Sequence, residues 1–580
     1  MMKGQKEMNT KENYLKWLNY EGLCDSYRAE LEEIKNDENE IAERFSASLE
    51  FGTAGLRGII RAGTNGMNIY TVAQATQGLS NLIVKNGEEA MKKGVAIAYD
   101  SRICADLFAK VSAQVLAANN IQVYLYESLR PTPMLSFAIK HLKTTAGIVI
   151  TASHNPKEYN GYKAYWSDGA QLPPPEAEVV YSEMQKIDIF ADVKKMDFDK
   201  AVENGIIKII GTDVDEAYYR AVMDLSINPD VLKNTELKVV YTPFHGTGNI
   251  PVRTVLERMG LKNVTVVREQ ELPDGNFPTV KAPNPEYAEG FDIAVSYAKK
   301  INADIIVGTD PDADRTGVML KNSSGEYEIL NGNQIGIVIV NYILDCMKKR
   351  GTLPKNGAII KSIVTTNMVK PIAKDYGVKV IDVLTGFKFI GEQIKLFEET
   401  NSNTYLFGFE ESYGYLSGTH ASDKDAVNAS MLICEAAAFY MEQGKTLKEV
   451  LDALYEKYGY YTEKTISVSH EGLAGIKKIK GIMEDLSKNS PCEFADVKVV
   501  KVNDYNNQVV TDVLTGDKKK IELPPANVLS FELEDGTLLT FRPSGTEPKI
   551  RAYVMTLGKT PELAEENKEK YADAMFEMVK

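Results

Sequence analysis

One pattern recurs along most of the chain: a short run of aliphatic and β-branched residues, a polar or glycine-rich loop, then a stretch of helical composition. "GVAIAYDSR" (94–102) ends in Asp100, Ser101 and Arg102, and "AGIVITASHNP" (146–156) ends in a loop holding Ser153, His154 and Asn155. "LKVVYTPFHGTGN" (237–249) ends in His245, Gly246, Thr247 and Gly248. "ADIIVGTDPDADR" (303–315) ends in three aspartates, and "NTYLFGFEESYGY" (403–415) in Glu410 and Glu411. Strands alternating with helical stretches predict α/β units. Ligand chemistry in such sheets lies beyond the carboxyl ends of the strands, where these loaded residues fall. The two ends of the chain read differently. Residues 10 to about 40 are charged and helix-favouring, punctuated by Trp17, Leu18 and Leu23, and predict a helical leader packed on the first domain. Beyond a joint at about 443–461, long β-like runs around "NVLSFELEDGTLLTFRPSGTEPKIRAYVM" predict an α+β domain.

At 580 residues the chain exceeds what one core can fill, so several domains are expected. The formal charge of −14 argues against a general nucleic-acid or anionic-membrane surface, but leaves room for anionic substrates where basic residues gather. Cys24, Cys104, Cys346, Cys434 and Cys492 lie far apart without CxxC spacing, which predicts reduced, partly buried thiols. The first residues lack an apolar signal core and no later run is long enough to span a bilayer, so a cytoplasmic protein is expected.

Several loops carry candidate chemistry. A Ser-His pair suggests a nucleophile with its base, but neighbours diverge in an extended chain, so His154 is expected to serve Ser153 poorly. "GTDPDADR" spaces Asp310, Asp312 and Asp314 at i, i+2 and i+4, which projects three carboxylates to one side of an extended loop. Such crowded like charges suit a hard cation such as Mg²⁺, the other reading being an acidic turn that holds no metal. An EF-hand is excluded because Arg315 stands where glycine is needed and Lys321 where glutamate is needed. "FRPSGTEPKIR" combines Arg542, Ser544, Gly545, Thr546, Lys549 and Arg551, a guanidinium, hydroxyls and flexible backbone suited to a phosphate monoester, or else a polar hairpin loop. "FGFEESYGY" can read sugar hydroxyls through Glu410, Glu411 and Ser412, or be a solvated acidic turn. In "FGTAGLRGIIRAG" Arg57 or Arg61 can face an anion. "HGTGNIP" is not a dinucleotide fingerprint, since Pro251 replaces the third glycine, and a tight strand–helix turn is expected. Lys163, Lys388 and Lys424 are expected in polar loops.

Taken together, TASHNP, DPDADR, GFEES and RPSGTEP in this order resemble the signature loops of the α-D-phosphohexomutase superfamily, the phosphoglucomutases and phosphomannomutases. The similarity runs from about residue 45 to the C-terminus and is greatest to the bacterial subgroup whose first motif reads FGTAGLRG. It implies a heart-shaped, four-domain architecture, three related α/β domains and a C-terminal α+β domain around a central cleft. The expected spans are a leader at 1–44 and domains at 45–205, 206–325, 326–455 and 456–580. The resemblance further implies that Ser153 is phosphorylated and, with Asp310, Asp312 and Asp314, holds Mg²⁺. Arg57, His154, Lys163 and Arg315 would line the phosphoryl-transfer site, and Lys424 would move the proton, with Lys388 as rival. Thr385, Gly386, Lys388, Glu410 and Ser412 would contact the sugar, and Arg542, Ser544, Gly545, Thr546 and Arg551 the non-reacting phosphate. Some bacterial relatives have histidines in these sugar-side loops, whereas here Phe387 and Tyr413 stand nearby.

The implied reaction interconverts glucose 1-phosphate and glucose 6-phosphate, with glucose 1,6-bisphosphate as intermediate and activator. Mannose or pentose phosphates, a Mg²⁺-dependent phosphatase and a non-catalytic sugar-phosphate binder are the competing readings. The second phosphate loop argues against the phosphatase, and retention of Ser153 with the aspartates argues against the binder. The only expected partner is the small-molecule substrate, bound by a monomer or weak dimer.

Overall fold

The computed structural model describes residues 2–52, 55–470, 472–544 and 549–580. Two compact units emerge: the chain up to Leu330 together with Gly414–Glu435, and Asn331–Tyr413 together with Ala436–Lys580.

The first unit holds two α/β sheets. In the first, the order is Gly55–Ile59, Tyr159–Trp166, Ala146–Ile150, Val95–Tyr99, Val123–Tyr126, Ile207–Ile210. Its last four strands are parallel, and Tyr159–Trp166 runs antiparallel to both its neighbours. Ala146–Ile150 is buried at every position, which is why it reads as a continuous apolar run without alternation. Helices Ile69–Lys85, Ala105–Ala118 and Pro174–Met184 contribute to the core on this sheet. The first of these helices starts at Asn68, whose side chain accepts from the Tyr70 and Thr71 amides in a capping box.

The second sheet orders Tyr327–Leu330, Thr316–Lys321, Ile305–Thr309, Val239–Thr242 and Val264–Val266, the last three parallel. The first sheet thus extends to Ile210 and the second to Leu330. The leader forms helices Met2–Leu18, Asp25–Glu33 and Glu38–Phe45. Trp17, 1% exposed, packs edge-on against Phe45, Tyr70 and Phe190, which ties the leader to the first sheet's helices.

In the second unit, Lys379–Val383, Gly357–Ser362 and Thr404–Glu410 are parallel neighbours. Helix Leu447–Tyr458, opened by a Thr446–Glu449 capping box, leads to the last sheet. That sheet is antiparallel, ordered Tyr460–Ser469, Lys549–Gly558, Leu538–Pro543, Leu529–Leu533, Val497–Asp504, Val509–Asp512, Lys518–Lys520. Helices Gly472–Lys488 and Pro561–Val579 complete this α+β domain. Among the described residues no helix is long and apolar enough to cross a membrane, and all five cysteines are free.

Candidate active site

Strand Ala146–Ile150 delivers Ser153 and strand Ile305–Thr309 delivers Asp310, each just past its carboxyl end. The Ser153 hydroxyl donates to Asp310 Oδ2 at 2.7 Å and lies 3.1 Å from His154 Nδ1. The expected divergence of these neighbours is therefore corrected. Ser153 has a φ of 52°, in the left-handed region, and an argument from extended geometry does not apply to it. The Thr151 hydroxyl accepts from the Ser153 amide at 2.8 Å and helps hold the turn.

Asp310, Asp312 and Asp314 are all buried, and each offers an oxygen within 4.8 Å of the others. They do not converge through an extended loop, as expected, but through a turn in which Ala313 adopts a φ of 48°. The turn wraps Asp310, whose Oδ1 accepts from the Asp314 and Arg315 amides at 3.0 and 2.9 Å. Among the described residues, Oδ1 of Asp312 and Oδ1 of Asp314 are buried with no hydrogen-bond partner. Buried carboxylate oxygens without donors are costly unless a cation meets them, so the trio fits a hard divalent ion. Burial, reinforced by Asp312 and Asp314, holds the Asp310 carboxyl well above its usual range. Burial acts the same way on Asp314, but Lys424, Lys163 and Arg315 outweigh it and the net direction is down.

The cations surround this trio. Lys163 Nζ lies 2.8 Å from Asp312 Oδ2 and 3.4 Å from Asp314 Oδ2. Lys424 Nζ lies 3.2 Å from Asp314 Oδ2 and 3.0 Å from Asp423 Oδ1. Arg315 Nη1 donates to Glu286 at 2.6 Å, and Arg57 Nη1 donates to Asn155 Oδ1 at 3.2 Å. Burial pulls the Lys163 ammonium's pKa down, yet Asp312 and Asp314 raise it overall, so it stays charged. Burial, then Arg315 and Arg57, keeps His154 well below its ordinary value and hence neutral.

Sequence reasoning placed Lys163 and Lys388 in polar loops. Lys163 instead lies on strand Tyr159–Trp166, and Lys388 in the first turn of helix Phe387–Thr400. Both have largely buried side chains: the Lys163 ammonium pairs with Asp312 and Asp314, and the Lys388 ammonium lies 5.0 Å from the centre of the Phe389 ring. Lys424 does lie in a loop.

In the second unit, Glu410 closes strand Thr404–Glu410 and accepts from the Gly386 amide at 2.7 Å. Gly386 has a φ of 122°, which a side chain would strain. Thr385 Oγ1 is buried with no hydrogen-bond partner among the described residues. Burial pulls the Lys388 ammonium's pKa down. Ser412 is half-buried beside Glu411, whose carboxylate accepts from Ser362 and Thr365 at 3.1 and 3.0 Å. Arg542 stands directly opposite Arg551 across an antiparallel pair. Like charges so placed repel, and an anion bound there would offset that repulsion. Ser544 donates its amide to Lys549 O at 2.7 Å, whereas Gly545 and Thr546 lie outside the described residues.

Some participants went unread. Thr132 donates its hydroxyl to Asp312 Oδ2 at 2.8 Å. Asp423 accepts from Tyr165 at 2.7 Å while pairing with Lys424. Glu286 partners Arg315. Asp423 sits beside Lys424 in "SDKDA", which was a signal; Thr132 and Glu286 carried none in isolation.

A fold of three α/β domains and one α+β domain, with a serine against a buried aspartate trio, defines a class, and comparison with known proteins agrees. Residues 48–189, 216–325 and 331–458 match α/β/α domains I, II and III of the phosphoglucomutase/phosphomannomutase family. The chain belongs to that family. It is 36% identical over 540 residues to the phosphoglucomutase of Staphylococcus saprophyticus, covering 93% of this chain and 95% of that one. With the phosphoglucomutase of Staphylococcus aureus the identity is 37%, covering 88% and 90%. Two solved structures share the fold. Parafusin, a phosphoglucomutase from Paramecium in its open form, has a TM-score of 0.67 at 17% identity, with coverage of 92% and 95%. A phosphoglucomutase/phosphomannomutase family protein from Burkholderia thailandensis has a TM-score of 0.64 at 18% identity, with coverage of 91% and 96%.

Proposed function

We propose that this chain is a phosphoglucomutase that interconverts α-D-glucose 1-phosphate and glucose 6-phosphate, carrying phosphate on Ser153 by way of glucose 1,6-bisphosphate. The observation behind the reading is the Ser153 hydroxyl held 2.7 Å from Asp310 at the edge of a buried carboxylate trio. Acyl-transfer chemistry at a serine has no use for three aspartates, whereas a phosphate on that oxygen adds ligands that complete a cation site. Mg²⁺ held by Asp310, Asp312, Asp314 and the phosphoserine would neutralise charge on the transferring phosphoryl group.

The chain's own groups do the remainder. Lys424, 3.2 Å from Asp314 and 3.0 Å from Asp423, would move the proton: its ammonium must first release its own proton, after which the amine accepts that of the attacking sugar hydroxyl and later returns it to the other end. Lys163, Arg315, Arg57 and neutral His154 stabilise the phosphoryl oxygens and orient them. Glu410, Ser412, Thr385, Gly386 and Lys388 would bind the sugar. The opposed Arg542 and Arg551, with Ser544, Gly545 and Thr546, would hold the phosphate that is not reacting. The bisphosphate turns over and returns its other phosphate to Ser153. We infer a cytoplasmic enzyme, monomeric or weakly dimeric, activated by glucose 1,6-bisphosphate. The family and the small-molecule substrates of its members leave nucleic acid and membrane without a role in the proposal.

A substrate panel tests this. With Mg²⁺ and trace glucose 1,6-bisphosphate, glucose 1-phosphate is expected to isomerise faster than mannose or ribose 1-phosphate, with little free phosphate. Free phosphate without isomerisation would refute the mutase reading, and a dominant mannose or ribose product would refute the sugar assignment.

A further inference from the structure

Arg102 takes no direct part in that chemistry, yet its side chain is fully buried beside the serine loop. Nη2 donates to the Ser153 and Asn155 carbonyls at 2.6 and 2.5 Å, and Nη1 to the Pro156 and Tyr159 carbonyls at 3.0 and 2.9 Å. Its Nε faces Asp100 Oδ2 at 3.5 Å, and Asp100 Oδ1 accepts the Arg102 amide at 2.9 Å. One planar cation therefore gathers carbonyls from residues 153 to 159, the span that turns the chain back into strand Tyr159–Trp166. The opposite flank belongs to the second domain of the same unit. The Phe277 ring centre lies 5.1 Å from the guanidinium carbon, and Phe277 is 2% exposed. Two residues earlier, Gly275 is pressed onto the backbone of Arg102. A Cβ there would lie 2.6 Å from Ile103 N and 2.8 Å from Ser101 O.

We propose that Arg102, backed by Phe277, is a positioning residue that holds Ser153 in its phosphate-carrying geometry. Ser153 needs such a hold, since a left-handed non-glycine residue persists only where its surroundings over-determine it. Charge-assisted bonds to four carbonyls over-determine this loop. Lysine cannot substitute, because its three donors sit on one nitrogen and cannot span both edges of the fork. The aromatic face fixes the guanidinium plane, and the Gly275 contact brings a segment of the metal-loop domain against the serine-loop domain. The inference rests on Ser153 being the phosphate carrier.

The test measures, for wild type, Arg102→Lys and Phe277→Leu, the rate at which Ser153 gains phosphate from glucose 1,6-bisphosphate by intact mass and peptide mapping. It also measures kcat and KM for glucose 1-phosphate and the far-UV circular dichroism. Arg102→Lys is expected to keep its fold, lower kcat and the phosphorylation rate together by about 100-fold, and change KM by no more than about threefold. Phe277→Leu is expected to lower kcat by about fivefold, with Phe277→Tyr restoring it. A folded Arg102→Lys enzyme with wild-type phosphorylation, or with a loss confined to KM, overturns the proposal. Should Arg102→Lys fail to fold, Phe277→Leu decides: wild-type kcat overturns the proposal and a selective loss of kcat supports it. Wild-type protein that gains no phosphate at Ser153 overturns the carrier reading itself, and this inference with it.

Discussion

At Ser153, a single φ of 52° brings the hydroxyl to Asp310 and the His154 ring to 3.1 Å. Spacing made the aspartate trio legible, because three carboxylates within five residues crowd like charge together however the loop bends, which suits a cation. Spacing did not reveal the backbone inversion at Ala313, since alanine has no preference for the left-handed region. The same limit hid His154, whose approach to Ser153 depends on a dihedral and not on composition. Replacing Ser153 by alanine removes the donor to Asp310 Oδ2 but leaves the amide and carbonyl bonds of the turn in place. Ser153→Ala is therefore expected to fold normally and lose at least about 10⁴-fold in turnover, checked by initial rates alongside circular dichroism. Turnover within about tenfold of the parent would remove Ser153 from the reaction.

Elements were legible where burial writes itself as an unbroken apolar run. Ala146–Ile150, Ile305–Thr309 and Val239–Thr242 are buried throughout, and each lies in a quoted apolar run that ends in a polar loop. The HGTG turn was read as a strand–helix connection, and it does connect Val239–Thr242 to helix Asn249–Arg258. Its further task was invisible in the sequence, because the surface it meets is remote. Thr247 donates both amide and hydroxyl to Pro311 O at 2.8 Å, inside the aspartate loop. A Cβ on Gly246 would lie 2.5 Å from Pro311 Cα and 2.7 Å from Pro311 O, both backbone atoms that cannot step aside. Gly246→Ala is accordingly expected to displace the aspartate loop and weaken Mg²⁺ activation by about tenfold or more, read from the metal dependence of kcat. An unchanged Mg²⁺ dependence would mean the turn does not set the loop. Lys163 and Lys388 were misplaced for a related reason: a polar residue in a strand or helix looks like a loop residue until a buried acid or ligand site explains it.

For the whole molecule, the order of the four loops said more than any loop alone, since each has an ordinary reading as an acidic or polar turn. That order pointed to the family, which residue matches over 48–189, 216–325 and 331–458 then established. What stayed unread were long-range partners, such as Glu286 on Arg315, or Phe277 on Arg102, 175 positions apart in the numbering. The net charge of −14 coexists with a site where Lys163, Lys424, Arg315 and Arg57 gather near three aspartates and a serine, so local arrangement and not overall charge decides whether an anion is attracted. Central to the account is that Ser153 passes its phosphate to a sugar and takes one back. The most direct test labels the protein with radioactive phosphate, maps the label, and mixes it with unlabelled glucose 1-phosphate and Mg²⁺. Label is expected on Ser153 and is expected to move into glucose 1,6-bisphosphate and glucose 6-phosphate at the rate of turnover. Label that departs only as inorganic phosphate, or stays on the serine while glucose 6-phosphate forms, would contradict it.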